Sequence, residues 1–130
     1  RQMLGHDPFI SGVVQRGDQR GRKINFPTAN LIMKNRISPA FGVYAVKVIY
    51  IKNRKEKVSN GIANIGIRPT VNNRGILAEI YIFDFNENLY NKKIKVFLKT
   101  FLRPEKKFAN LDELKAQITK DVKKAKTFFQ

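Results

Sequence analysis

The segment Asn25-Phe-Pro-Thr-Ala-Asn30 places a hydroxyl and an amide carbonyl two residues apart, directly after a proline. Pro27 fixes one φ angle and removes a backbone donor. Thr28 and Asn30 are hard oxygen ligands of the kind Mg²⁺ accepts beside phosphates and water. They would equally serve as turn side chains that bond their own backbone. Just upstream, Gly17-Asp-Gln-Arg-Gly-Arg-Lys23 combines Gly17 and Gly21 with Arg20, Arg22 and Lys23. Such loops suit phosphates, because backbone N–H groups and cations converge on anionic oxygens. The same composition also makes a flexible basic turn, and on residue types alone the turn is the better reading. Glu79 lies within Leu77–Phe85, where strand alternation puts Leu77, Glu79, Tyr81, Phe83 and Phe85 on one face. Burial in that apolar row would raise the carboxyl pKa and make it a better general base. At a barrel rim, or beside one of many cations, it would be a structural charge. Leu102-Arg-Pro-Glu-Lys-Lys-Phe108 mixes charge with an aromatic ring and suits a flat ligand with polar edges.

Several other chemistries are excluded. The single histidine, His6, stands in a polar opening stretch, so a histidine triad or histidine metal cluster cannot be assembled. There is no cysteine, which removes disulfides, thiolate metal sites and a cysteine nucleophile. Gly12 and Gly17 have the spacing that opens a P-loop, but Asp18 follows where Lys and Ser/Thr are required. No apolar run approaches the roughly 20 residues of a membrane span, and no signal peptide is visible. The chain reads as cytoplasmic. The net charge of +16 favours anionic partners without specifying a fold.

The elements that must position these residues are mostly strands. The length of 130 residues is that of one domain. Phe9–Val14, Gly42–Ile51, Val58–Ile65, Leu77–Phe85 and Lys93–Phe101 are the strand candidates, with Lys52–Lys57 and Asn86–Asn91 as polar turns. The Gly42–Ile51 strand is apolar on both faces and should be central. Many short strands with polar turns favour an antiparallel barrel or sandwich over βαβ units. One helix is expected at the C-terminus. Asn110 is its N-cap, with Glu113 at capping-box spacing. Leu111, Leu114, Ile118, Val122, Ala125 and Phe129 form its apolar face.

In order along the chain stand Gly17…Gly21-Arg22, Phe26-Pro-Thr-Ala-Asn30, Gly61-Ile-Ala-Asn-Ile-Gly-Ile-Arg-Pro-Thr70, Glu79-Ile-Tyr-Ile-Phe-Asp-Phe85 and Leu102-Arg-Pro-Glu105 with Lys107-Phe108. This series resembles the riboflavin kinase family, and most closely the kinase module of bacterial bifunctional riboflavin kinase/FAD synthetases. The resemblance implies a six-stranded antiparallel Greek-key barrel with the C-terminal helix packed beside it. It implies transfer of the ATP γ-phosphoryl group to riboflavin, giving FMN. Glu79 would be the catalytic base, and Thr28 and Asn30 would hold Mg²⁺ and the nucleotide phosphates. Gly17, Gly21, Arg22 and Lys23 would cover ATP. Ile82, Asp84 and Tyr90 match nucleotide-side positions, while Arg103, Lys106 and Phe108 match the flavin-side loop. Residues 9–130 would form the kinase domain. Residues 1–8 would be the remnant of a linker from an N-terminal adenylyltransferase module.

The sequence departs from the family pattern at Asn25, Tyr81, Asn88 and Asn91, none of them a proposed ligand or base. An alternative reading is a basic β-barrel that binds single-stranded nucleic acid, from the charge and the strand aromatics. The ordered motifs favour the enzyme.

Overall fold

The computed structural model describes residues 9–15, 28–32, 40–69, 74–85 and 88–130. Side chains are described at all of these except 67–69, 74 and 75. The described residues form six strands: β1 (Phe9–Gln15), β2 (Ala29–Ile32), β3 (Gly42–Lys52), β4 (Lys55–Pro69), β5 (Arg74–Ile82) and β6 (Lys93–Pro104). One helix, α1 (Leu111–Phe129), follows. All strand pairs are antiparallel, and the sheet closes in the order β1-β2-β5-β4-β3-β6. β3, β4 and β5 are consecutive neighbours, and β6 returns beside β3. That arrangement is a Greek key.

β3 and β4 turn tightly. Lys52 pairs with Lys55, and the two residues between them, Asn53 and Arg54, have φ of 52° and 65°. Two positive φ values are what a two-residue hairpin turn with native strand twist demands. The turn is therefore shorter than the Lys52–Lys57 expected from composition, and β4 correspondingly longer. β4 also runs on to Pro69, past the Val58–Ile65 expected from pattern. β2 did not stand out as a strand by pattern. It has four residues, and its pairing with β1 and β5 supplies the order that its short, mixed sequence does not show.

The barrel interior is packed with side chains. Ile10, Leu31, Val46, Val48, Ile65, Ile80, Ile94 and Val96 are fully buried and belong to one cluster with Ala63, Ala78 and Ile82. In β5 this assigns Ala78, Ile80 and Ile82 to the inside and Leu77, Glu79 and Tyr81 to the outside. Phe85 departs from the expected face. β5 ends at Ile82, Asp84 takes φ of 53°, and beyond that turn Phe85 packs against the interior cluster, edge-to-face with Tyr50 at 5.2 Å.

A second apolar cluster lies on the outer surface. Val43 and Ala45 of β3, Ile62 of β4 and Phe83 pack beneath Ile118, Val122, Ala125 and Phe129 of α1. This explains why β3 is apolar on both faces: one faces the interior, the other the helix. The start of α1 follows its sequence signal. Asn110 Oδ1 accepts from Glu113 N–H at 2.9 Å, and Glu113 Oε1 accepts from Ala109 N–H at 3.1 Å. Both bonds satisfy donors at the helix entrance.

β4 and β5 approach each other closely at Gly61. A Cβ there would overlap the Tyr81 carbonyl oxygen and come within 3.2 Å of the Ile82 Cα. Both are backbone atoms that no side-chain rotation can move. Gly61→Ala is therefore expected to lower unfolding free energy by about 1–3 kcal/mol, the range for overpacking. Urea unfolding followed by far-UV circular dichroism measures this.

Candidate active site

β5 carries Glu79 on its outer face, midway along the strand. The register places Asn30 of β2 opposite it on one side and Asn64 of β4 opposite it on the other. Residues directly opposite in an antiparallel pair have Cβ atoms about 4.5–5.5 Å apart. Three polar side chains thus stand in one row across three strands, Asn30–Glu79–Asn64. Thr28 precedes β2 by one residue, and continued alternation sets it on the side of Asn30.

Asn30 is only 5% exposed, which is unusual for an amide on the outer face of a sheet. Asn64 has a buried Oδ1 with no hydrogen-bond partner. A buried acceptor without a donor is destabilising by itself, so such an atom calls for an explanation. It lies beside Glu79 in the register, which makes the row the candidate site. Asn64 belongs to the Gly61–Thr70 motif, but its residue type alone gives it no role. The register to Glu79 is what reveals it.

The donor set fits a magnesium–phosphate site. The row offers hydroxyl, amide carbonyl and carboxylate oxygens, and no sulfur or imidazole. Among the described residues no cluster of three or more His, Cys, Asp or Glu side chains exists that would form an all-protein cage. Mg²⁺ commonly uses one or two protein oxygens and takes the rest from phosphates and water.

A second group of residues sits at the junction of β6 and α1. Arg103 Nε and Nη2 each donate to Asp121, at 2.8 Å to Oδ1 and Oδ2. Its Nη1 donates to the Pro104 carbonyl at 3.0 Å. The guanidinium carbon lies 6.0 Å from the Phe108 ring centre, and Lys106 Nζ lies 5.8 Å from it. The three residues singled out in this loop are thus brought together around one half-buried ring. The loop also leans back over β4. Glu105 sets its carboxylate against Gly66, where a Cβ would overlap it. Gly66 is two residues from Asn64 and shares its outer face, so the loop ends one strand away from Glu79.

The remaining candidates are dispersed. The side chain of Ile82 is packed inside the barrel. Asp84 is exposed and lines a cavity of about 520 Å³ with Asn60, Phe83, Lys126 and Phe129. Asn60 lies four residues from Asn64 along β4, roughly 13 Å at 3.3 Å per residue. Tyr90 is exposed beside Leu89, whose side chain enters the interior cluster. Gly17, Gly21, Arg22, Lys23 and residues 1–8 lie outside the described residues, as does Asn25.

Residues 4–129 match the family model Flavokinase, described as riboflavin kinase. The chain belongs to the riboflavin kinase family. Riboflavin kinases phosphorylate riboflavin to FMN. The chain is similar to proteins named bifunctional riboflavin kinase/FMN adenylyltransferase. It is 46% identical to that of Escherichia coli over 127 residues, covering 98% of this chain and 40% of that protein. It is 41% identical to that of Bacillus subtilis over 131 residues, again covering 98% and 40%. The chain thus spans about 40% of the length of these relatives. Among solved structures, one described as a macrolide-efflux protein from Streptococcus pneumoniae superposes with a TM-score of 0.79 and 34% identity, over 92% of this chain and 38% of that one. Riboflavin kinase from Trypanosoma brucei gives a TM-score of 0.64 at 22% identity, over 94% and 79%, a likeness of fold.

Because the Asn64 acceptor has no partner, its loss should barely affect folding. Asn64→Ala is expected to change unfolding free energy by less than about 1 kcal/mol, the scale of one net hydrogen bond. Guanidinium unfolding of the unliganded domain is the check.

Proposed function

We propose that this riboflavin kinase domain transfers the γ-phosphoryl group of ATP to the ribityl 5′-hydroxyl of riboflavin through the row Asn30–Glu79–Asn64. The observation that carries the reading is the register: one carboxylate is held on the outer face between two amides, one of them with an unpaired acceptor. Phosphoryl transfer needs positioning and charge neutralisation, with one base within reach of the attacking hydroxyl.

In this scheme the Glu79 carboxylate accepts the proton of the 5′-hydroxyl. That oxygen forms the new bond to the γ-phosphorus as the bond to the β-phosphate bridging oxygen breaks, leaving FMN and ADP. Thr28 and Asn30 would hold Mg²⁺, which when bound neutralises charge on the phosphate oxygens. Gly17, Gly21, Arg22 and Lys23 would enclose the phosphates. Ile82, Asp84 and Tyr90 would contact the nucleotide. Arg103, Lys106 and Phe108 would receive the flavin ring, with the loop over Gly66 carrying it toward the Glu79 strand. A flat ring with an extended polyol tail matches a site split in this way.

The proposal extends to the parent protein. The names of the relatives supply an FMN adenylyltransferase, and residues 1–8 would link such a module to the kinase domain. A cytoplasmic location belongs to the same reading.

Chromatographic assay of the domain with riboflavin, ATP and Mg²⁺ should yield FMN; folded protein that forms none contradicts the proposal. Glu79→Gln is expected to lower kcat about 10²–10⁴-fold, the usual contribution of a general base, with KM for both substrates within a few-fold. Asn30→Ala should abolish the Mg²⁺ dependence of ADP binding in calorimetric titration, and an unchanged titration removes Asn30 from its role.

A further inference from the structure

We infer that Asp121 is a positioning residue for the flavin-side loop, setting the orientation of Arg103 and through it the Phe108 ring. The inference deepens the proposed function and rests on it for the identity of the ligand. Asp121 stands three residues after Ile118 and four before Ala125, within the helix face that packs on the barrel. It is only 3% exposed. A carboxylate there is costly unless paired and fully hydrogen-bonded. It is: Arg103 approaches both oxygens in a fork, and Gln117 Nε2 donates to Oδ1 at 3.0 Å.

An apolar residue at this position would anchor the helix as well or better, since a buried ion pair rarely exceeds a well-packed hydrophobic contact in stability. What the pair provides is direction. A planar guanidinium gripped at two nitrogens has a fixed plane, and the bond from Nη1 to the Pro104 carbonyl ties it to the loop backbone. Arg103 is thereby placed beside the Phe108 ring, with Lys106 beside the same ring. Lys124 Nζ, one helical turn beyond Asp121, donates to the Leu102 carbonyl at 3.1 Å, so α1 also holds the loop at its root. Three of the five guanidinium N–H groups are engaged by these bonds, which leaves two for acceptor oxygens on a flat ligand. Loss of the Asp121 charge would release the guanidinium, and the flavin-side surface would no longer be preorganised.

The test is Asp121→Asn, with Arg103→Lys as a second variant in case the first folds poorly. Each is compared with wild type by hydrogen exchange of residues 103–109 and by steady-state kinetics. The expected results are faster exchange in this segment and a riboflavin KM raised about tenfold. For Asp121→Asn, kcat and the KM for ATP should stay within twofold. Asp121→Glu should restore part of the riboflavin KM. Unchanged exchange overturns the inference, as does faster exchange or a lower melting temperature with an unaltered riboflavin KM. If wild type forms no FMN, the proposed function falls instead, and the exchange data alone then support or overturn the hold of Asp121 on the loop.

Discussion

Period-two alternation in a closed, filled barrel governs everything else in this domain. The interior is occupied by aliphatic side chains from every strand, so no ligand can be received there. Any chemistry must be carried by the outer face or the rims. In β5 the same alternation that buries Ala78, Ile80 and Ile82 turns Glu79 outward. A one-residue slip would bury the carboxylate and expose the core. Register fidelity in β5 is thus a condition for folding and, in the proposed function, for catalysis. It is secured on one side by β2 and on the other by the long β4.

The outer face is divided by α1. Where the helix packs, β3 and β4 present Val43, Ala45 and Ile62; where it does not, β2, β5 and β4 present Asn30, Glu79 and Asn64. The helix and the site therefore share one sheet surface and are joined by the loop between β6 and α1. That loop is held to the helix through Arg103 and Asp121 and set against β4 through Glu105. Some of the basic side chains have local contacts of this sort: Lys47 donates to Asn60 at 2.8 Å, Lys95 lies over Phe9 and Lys126 over Phe83. A basic composition is here partly a way of covering aromatic rings and capping carbonyls.

The long strands and the helix were legible because hydrophobic period and capping chemistry are local. β3, β6 and α1 fall close to where the pattern places them. β2 was not legible by pattern, since four residues carry too little periodicity, and the second half of β4 was obscured by glycine and proline. The strand pattern left barrel and sandwich open and Glu79 as either a base or a structural charge; the resemblance to riboflavin kinases chose the barrel and the proposed role of base. Asn64 and Asp121 escaped both routes. Asn64 gains meaning only from a cross-strand partner fifteen residues away in sequence. Asp121 occupies a core position of the helix stripe, and an acidic residue there is a signal that a search for apolar residues passes over.

The most direct test of this account is a map of ligand-induced backbone amide shifts in the 15.0 kDa domain, titrated with riboflavin and MgADP by ¹H–¹⁵N NMR. The account predicts the largest shifts at Asn30, Glu79 and Asn64 and along residues 103–108, with the β3–β4 hairpin at Asn53 and Arg54 unmoved. Shifts centred on that hairpin, or spread along the lysines of α1 with the Glu79 row silent, would contradict it.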